Sequence, residues 1–327
     1  MHARWALSLR ENKMRNILLG AFVALFAFIS AGAQNVKPTV TLKLYPEGQA
    51  VDKGIVENGQ AITLGPCDDN GLRGDVEMSG DGNMGNINDP YIDIYLPKKC
   101  NGQMLVCCPG GGYKYCSSYN EGTRVAAWCL KNNIACCVVL YRMPNHHCVV
   151  PLTDVQNAFR YCRAHQKEWG VKQLGIIGFS AGGHLAASAS TLWVDAATRP
   201  DFSVLVYPVI TLEQDVTHKG TRSNLTDNKI DLVEYYSLEN QVNASTPQTL
   251  LLLCQDDKVV PPENSLRYYF KMIKCKVPGE LHIFTSGGHG WGFTTPEYGT
   301  DKLTPGQRAD FFKILSRWLE DRRTEIK

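Results

Sequence analysis

Short apolar runs alternate with helical patterns from residue 91 onward, and that alternation constrains the fold more than any other feature of the chain. The runs Tyr91–Leu96, Met104–Cys108, Ala135–Leu140, Leu174–Gly178, Ser203–Tyr207, Thr249–Cys254 and Leu281–Phe284 have strand length and end in turn residues. Between most of them lie patterns of helical period: Glu121–Asn132, Leu152–Trp169, Ala181–Trp193, Pro262–Lys274 and Pro305–Arg322. Apolar strands separated by helices predict an α/β architecture, a mostly parallel central sheet with helices on both faces. An earlier strand is expected at Val40–Leu44, and the Gly/Asp/Asn-rich stretch from Asp68 to Asp89 is expected to be a surface loop. The polar stretch Ile210–Ser245 breaks the alternation. It reads as a small insertion near residues 210–245, over the carboxyl ends of the strands, rather than as a separate domain.

The N-terminus has a different character. Arg10, Lys13 and Arg15 precede an apolar run from Ile17 to Ile29, which is followed by Ala31-Gly32-Ala33. Basic residues, a run short for a bilayer span and an A-x-A site are the marks of a secretory signal peptide, with cleavage expected after Ala33. The start at Met1 or at Met14 is left open. Residues 34–327 then form a single α/β domain, large enough for a substantial core. Of the 34 basic and 32 acidic residues, residues 1–33 hold four (Arg4, Arg10, Lys13, Arg15) and one (Glu11), which leaves 30 and 31. A near-neutral chain without basic runs argues against nucleic acid as a partner. Most of the 12 cysteines lie in apolar or helical patterns, where cysteine acts as a small buried hydrophobe. One or two bridges among Cys67, Cys100, Cys116, Cys129, Cys148 and Cys275 are left open, with no pairing deducible. No cysteine or histidine spacing suits zinc, so no metal is expected.

The chemistry concentrates at predicted strand ends, where open α/β sheets build their sites. After Leu174–Gly178 comes Gly178-Phe179-Ser180-Ala181-Gly182, and a helix follows. A serine in G-x-S-x-G on a sharp strand-to-helix turn has the geometry of a nucleophile elbow. A serine hydroxyl needs a base, a carboxylate to orient the base, and donors for an oxyanion. The Met104–Cys108 strand ends in Pro109-Gly110-Gly111-Gly112-Tyr113, a glycine loop whose N–H groups can point into a pocket. The donor set expected is Gly110, Gly111, Gly112 and Ala181. The Thr249–Cys254 strand ends in Gln255-Asp256-Asp257, where Asp257 is preferred to Asp256 as the carboxylate. The Leu281–Phe284 strand leads to Gly287-Gly288-His289-Gly290, which presents one imidazole between glycines as the expected base.

The order Ser180…Asp257…His289 resembles that of α/β-hydrolases. The chain is similar to their acetyl esterase/lipase branch, and within it to bacterial exported acetylxylan and feruloyl-type carbohydrate esterases. Beyond the catalytic pattern, the resemblance rests on Pro109–Tyr113, Tyr141-Arg142-Met143-Pro144, Pro151-Leu152-Thr153-Asp154, Thr217–Arg222 and Val260–Ser265. Pro109 departs from the better-known HGGG pattern. The resemblance implies a serine esterase without a cofactor that acts on short acyl groups, acetyl above all. It also implies a small-molecule or polysaccharide ester such as xylan as substrate, and a place in the periplasm or outside a Gram-negative cell, without stable membrane insertion. Tyr113, Glu121, His218 and Trp291 are candidate pocket residues. Arg142 and Asp154 are a candidate structural ion pair, and His184 is expected to pack behind Ser180. A prolyl-oligopeptidase-like peptidase shares the residue order, and a non-catalytic carbohydrate-binding protein on the same fold is a second alternative. Oligomeric state is left open.

Overall fold

The computed structural model describes residues 36–45, 56–57, 60–61, 76–79, 83–85, 87, 89–144, 147–294 and 301–325. All the elements below lie in the unit Pro38–Lys327. The proposed signal segment and Cys67 lie outside the described residues.

The strands β1 (Val40–Lys43), β2 (Tyr91–Tyr95), β3 (Gln103–Cys108), β4 (Ala135–Leu140), β5 (Gln173–Phe179), β6 (Ser203–Val206), β7 (Thr249–Cys254) and β8 (Gly279–Phe284) form one 8-stranded sheet. Their order is β1-β2-β4-β3-β5-β6-β7-β8. The pairs β1–β2 and β2–β4 are antiparallel, and every later pair is parallel. The sequence pattern accounts for this layout. Every residue of β3, β4, β5, β6 and β7 is buried, as expected of near-continuous Val/Ile/Leu/Cys runs covered on both faces. Each large aliphatic so buried contributes roughly 1.5–3 kcal/mol. At the edge, β1 is largely exposed.

Helices α1 (Arg124–Lys131), α2 (Val149–His165), α3 (Ser180–Thr191), α6 (Glu263–Lys274) and α7 (Pro305–Thr324) follow the strands much as the periodicity predicts. The helix expected at Glu121–Asn132 opens instead with a π-turn over Tyr119–Thr123. The 210–245 insertion carries two short helices, α4 (Lys219–Thr226) and α5 (Ile230–Tyr235). The expected loop at 68–89 requires correction: Val76–Ser79 pairs antiparallel with Asn83–Gly85, which pairs in turn with Tyr115–Cys116. These strands are only four, three and two residues long and carry no apolar run, which hides them from a search by pattern.

Arg142 and Asp154 form a buried ion pair, their side chains 1% and 0% exposed. The Tyr45 hydroxyl donates to Asp154 and accepts from Arg142, which completes the network. No disulfide joins any two of the 11 described cysteines.

Candidate active site

The carboxyl ends of β3, β5, β6, β7 and β8 converge. At the end of β5, Phe179 is still extended and Ser180 turns to φ 53, a left-handed value that strains a residue with a Cβ. The glycines on either side permit the turn. A Cβ at Gly178 would stand 2.2 Å from the Gly182 carbonyl oxygen, and one at Gly182 would stand 2.2 Å from that of Cys108.

Ser180 Oγ lies 2.8 Å from His289 Nε2, and His289 Nδ1 lies 2.7 Å from Asp257 Oδ2. The other carboxylate oxygen of Asp257 accepts the N–H groups of Val259 and Val260, both at 2.9 Å. Asp257 is 4% exposed, so its orientation is fixed by three donors in a dry setting. Asp256 does different work: it accepts from the Gly287 and Gly288 N–H groups and holds the turn that leads to His289. The histidine loop is also held from α7. The helix begins with a capping box, in which Thr304 and Gln307 satisfy each other's backbone donors. Gln307 reaches on to the Ser286 carbonyl oxygen, while Arg308 donates to the carbonyls of Trp291 and Gly292. Lys302 donates to the His289 carbonyl.

The expected donor set needs one correction. The Gly110 N–H is spent on Glu121 Oε2 at 2.7 Å, so Gly110 is not a free donor. Gly111 and Gly112 have left-handed φ values of 133 and 66, and their N–H groups have no acceptor among the described residues. Ala181, in the first turn of α3, has an N–H without an intrahelical partner. All three lie beside Ser180.

A cavity of about 440 Å³ opens here. Its walls include Gly111, Gly112, Ser180, His289 and Gly290, together with Lys114, Asn120, Glu121, His218 and Asn224. His218 belongs to this wall as expected. It caps α4: its Nδ1 accepts the Thr221 N–H, which leaves the ring proton on Nε2. Burial, and then the charge of His289, lower its pKa and favour the neutral ring. Asn224, also from the insertion, donates to the Gly112 carbonyl.

Two other expected pocket residues, Tyr113 and Trp291, turn away from this role. Tyr113 is 2% exposed, and its hydroxyl donates to His184 Nδ1. Trp291 is fully buried, edge-on to Tyr207 and Phe311 behind the histidine loop, so nearness to His289 in sequence did not put it in the cavity. Glu121 does line the cavity as expected, with both its oxygens taken by protein donors: Gly110 N–H, and the Tyr207 hydroxyl at 2.7 Å. Burial raises its pKa, and the bonds from Tyr207 and Gly110 oppose that rise. His184 packs behind the serine, where its Nε2 donates to the Tyr236 carbonyl and burial lowers its pKa to about 4. Pattern reading missed Tyr207. Its position at the end of β6 was the available signal, but an isolated tyrosine there looks like any strand residue.

Among the described residues no cluster of histidine, cysteine and carboxylate side chains could hold a metal. No described helix is long and apolar enough to cross a membrane.

A serine on a sharp turn after β5, an acid after β7 and a histidine after β8 of a mostly parallel sheet are the arrangement of an α/β-hydrolase. Residues 105–292 match the α/β-hydrolase fold family, and the chain belongs to it. It is 37% identical over 221 residues to an acetylxylan esterase of Xylanibacter ruminicola, a match covering 65% of this chain and 46% of that protein. It is 30% identical over 217 residues to endo-1,4-beta-xylanase B of Butyrivibrio fibrisolvens, covering 59% of this chain and 33% of the relative. The match thus spans less than half the length of either relative. Among solved structures, an acetyl ester-xyloside bifunctional hydrolase from Caldicellulosiruptor lactoaceticus superposes with a TM-score of 0.66 at 29% identity, over 88% of this chain and 97% of that one.

Proposed function

We propose that the chain is a serine esterase that removes short acyl groups, acetyl above all, from plant polysaccharide such as xylan or from its oligosaccharides. The observation that carries this reading is the continuous relay from Ser180 Oγ through His289 to Asp257, set in an open cavity. Ser180 attacks the ester carbonyl as His289 Nε2 takes its proton. Asp257 holds the imidazole in the tautomer with Nδ1–H and stabilises the imidazolium that forms. The N–H groups of Gly111, Gly112 and Ala181 receive the oxyanion; one such donor is worth roughly 2.7–4 kcal/mol of transition-state stabilisation. His289 returns the proton to the departing alcohol, and water then repeats the sequence on the acyl-enzyme. Lys114, Asn120, His218 and Asn224 in the cavity wall can hydrogen-bond a hydroxyl-rich alcohol, and the names of the matched relatives point the same way. Export fits a polysaccharide substrate and the N-terminal sequence.

The test is acetate release from acetylated xylo-oligosaccharides, run beside a dipeptidyl amide and a fluorophosphonate label. Wild type should release acetate and take the label, and Ser180→Ala should do neither. A wild type that takes no label, or that cleaves the amide faster than the ester, overturns the reading.

A further inference from the structure

Glu121 is a carboxylate buried at 4% exposure with no ion-pair partner among the described residues. Such burial is costly unless hydrogen bonds replace the lost water. Here they do, and the donors come from two different loops. Oε2 accepts the Gly110 N–H of the glycine loop. Oε1 accepts the hydroxyl of Tyr207, whose oxygen in turn accepts the Gly292 N–H of the histidine loop at 2.8 Å. The ring of Tyr207 lies 4.8 Å from that of His289, centroid to centroid.

Two local distortions serve this bridge. Glu121 sits in the π-turn Tyr119–Thr123, a form found mostly as single turns at functional sites. Tyr207 holds φ 37, an outlying value for a bulky residue that persists only where its surroundings enforce it. A carboxylate suits the junction because it only accepts, and its two oxygens can serve both donors at once. A glutamine has one acceptor oxygen and must set an N–H against the other partner.

We propose that Glu121 and Tyr207 are positioning residues, a buried strut that holds the glycine loop and the histidine loop at a fixed spacing across Ser180. With the Gly110 N–H committed to the strut, its peptide plane is fixed and the next two N–H groups are left for the oxyanion. At the other end, Tyr207 supports the imidazole from behind. Both act through other protein groups: Glu121 through the Gly110 N–H, and Tyr207 through the Gly292 N–H and the His289 ring. The proposal rests on the esterase reading above.

Glu121→Gln, Tyr207→Phe and the double variant test it, with p-nitrophenyl acetate as substrate and active sites counted by fluorophosphonate labelling. A small displacement of catalytic groups costs up to about 10²-fold in rate. Each single variant should lose about tenfold or more in kcat per labelled site, with KM within about twofold. Because the two act through one strut, the double variant should be little worse than the poorer single. An unchanged kcat with a raised KM would make Glu121 a substrate contact. A loss explained wholly by fewer labelled sites would reduce the pair to a folding role, and losses that multiply would break the link between them. Any of these overturns the proposal while leaving the esterase reading intact. A wild type that neither labels nor hydrolyses the ester overturns both.

Discussion

Asp257→Asn separates orientation from charge in the proposed relay. In the wild type, Oδ1 of Asp257 accepts from Val259 and Val260, and Oδ2 accepts from His289 Nδ1. An asparagine must choose which end carries its amide. Turning the amide toward the two backbone N–H groups would leave both without an acceptor in a buried setting, at about 1–3 kcal/mol each. The carbonyl therefore stays on Oδ1's site, and the amide faces His289. It donates there, so Nδ1 must accept and the ring proton moves to Nε2, where it blocks proton transfer from Ser180. The expected loss in kcat is about 10⁴-fold, or about 5 kcal/mol in barrier. The assay is the steady-state rate on p-nitrophenyl acetate, with a thermal melt to establish that the variant is folded. Asp256→Asn is the control, because its partners are the N–H groups of Gly287 and Gly288 and one oxygen suffices for the shorter bond. It should lose less than about tenfold, since it supports the turn without orienting the imidazole. An Asp257→Asn enzyme within tenfold of wild type, or equal damage from both variants, would refute the reasoning.

Other outcomes follow from the same geometry. The pKa of His184 is lowered from the ordinary 6.5 to about 4 in the folded chain. Below 6.5 the unfolded chain takes up a proton that the folded chain refuses, so this contribution to stability is complete above that pH and is lost as pH falls toward 4. It amounts to about 3 kcal/mol at most. Urea midpoints of His184→Gln should therefore vary less than those of wild type over that window; equal slopes would contradict it. Asp154→Ala strands the Arg142 guanidinium and should cost roughly 3–5 kcal/mol of stability, whereas replacing both partners with apolar residues should restore most of it. A loss under about 1 kcal/mol, measured by urea unfolding, would count against the buried pair. His218→Asn keeps a capping side chain for α4 but withdraws the ring from the cavity. KM for acetylated xylo-oligosaccharides should rise about tenfold, the worth of one hydrogen bond, with p-nitrophenyl acetate little affected. An equal rise on both substrates would remove His218 from sugar recognition.

The sheet and the relay were legible in the sequence because each is announced locally. A parallel strand is a short apolar run, and Ser180 and His289 each sit among glycines directly after one. The relations across the sheet were not. Nothing near Glu121 announces that its carboxylate meets Gly110 and Tyr207, because those contacts depend on how three loops pack. Tyr113 and Trp291 misled for the same reason: position beside a site residue says little about which way a ring turns. The pairing of Val76–Ser79 with Asn83–Gly85 was hidden by length, since strands of four and three residues without an apolar run read as loop.

The buried cysteines carry a consequence for the life of the chain before it folds. Nine of the 11 described thiols are buried, and burial raises the pKa of those in the central strands, Cys107, Cys108 and Cys137 among them. A thiol reacts as its thiolate, so in the finished molecule these groups are inert even beside an oxidant. In the unfolded chain they are ordinary, exposed and numerous enough to be joined in many wrong ways. Closing β3, β4 and β5 thus acts as a race against oxidation. Yield from an oxidising compartment should follow the speed of that closure, whereas the buried thiols of the folded chain should resist the same oxidant.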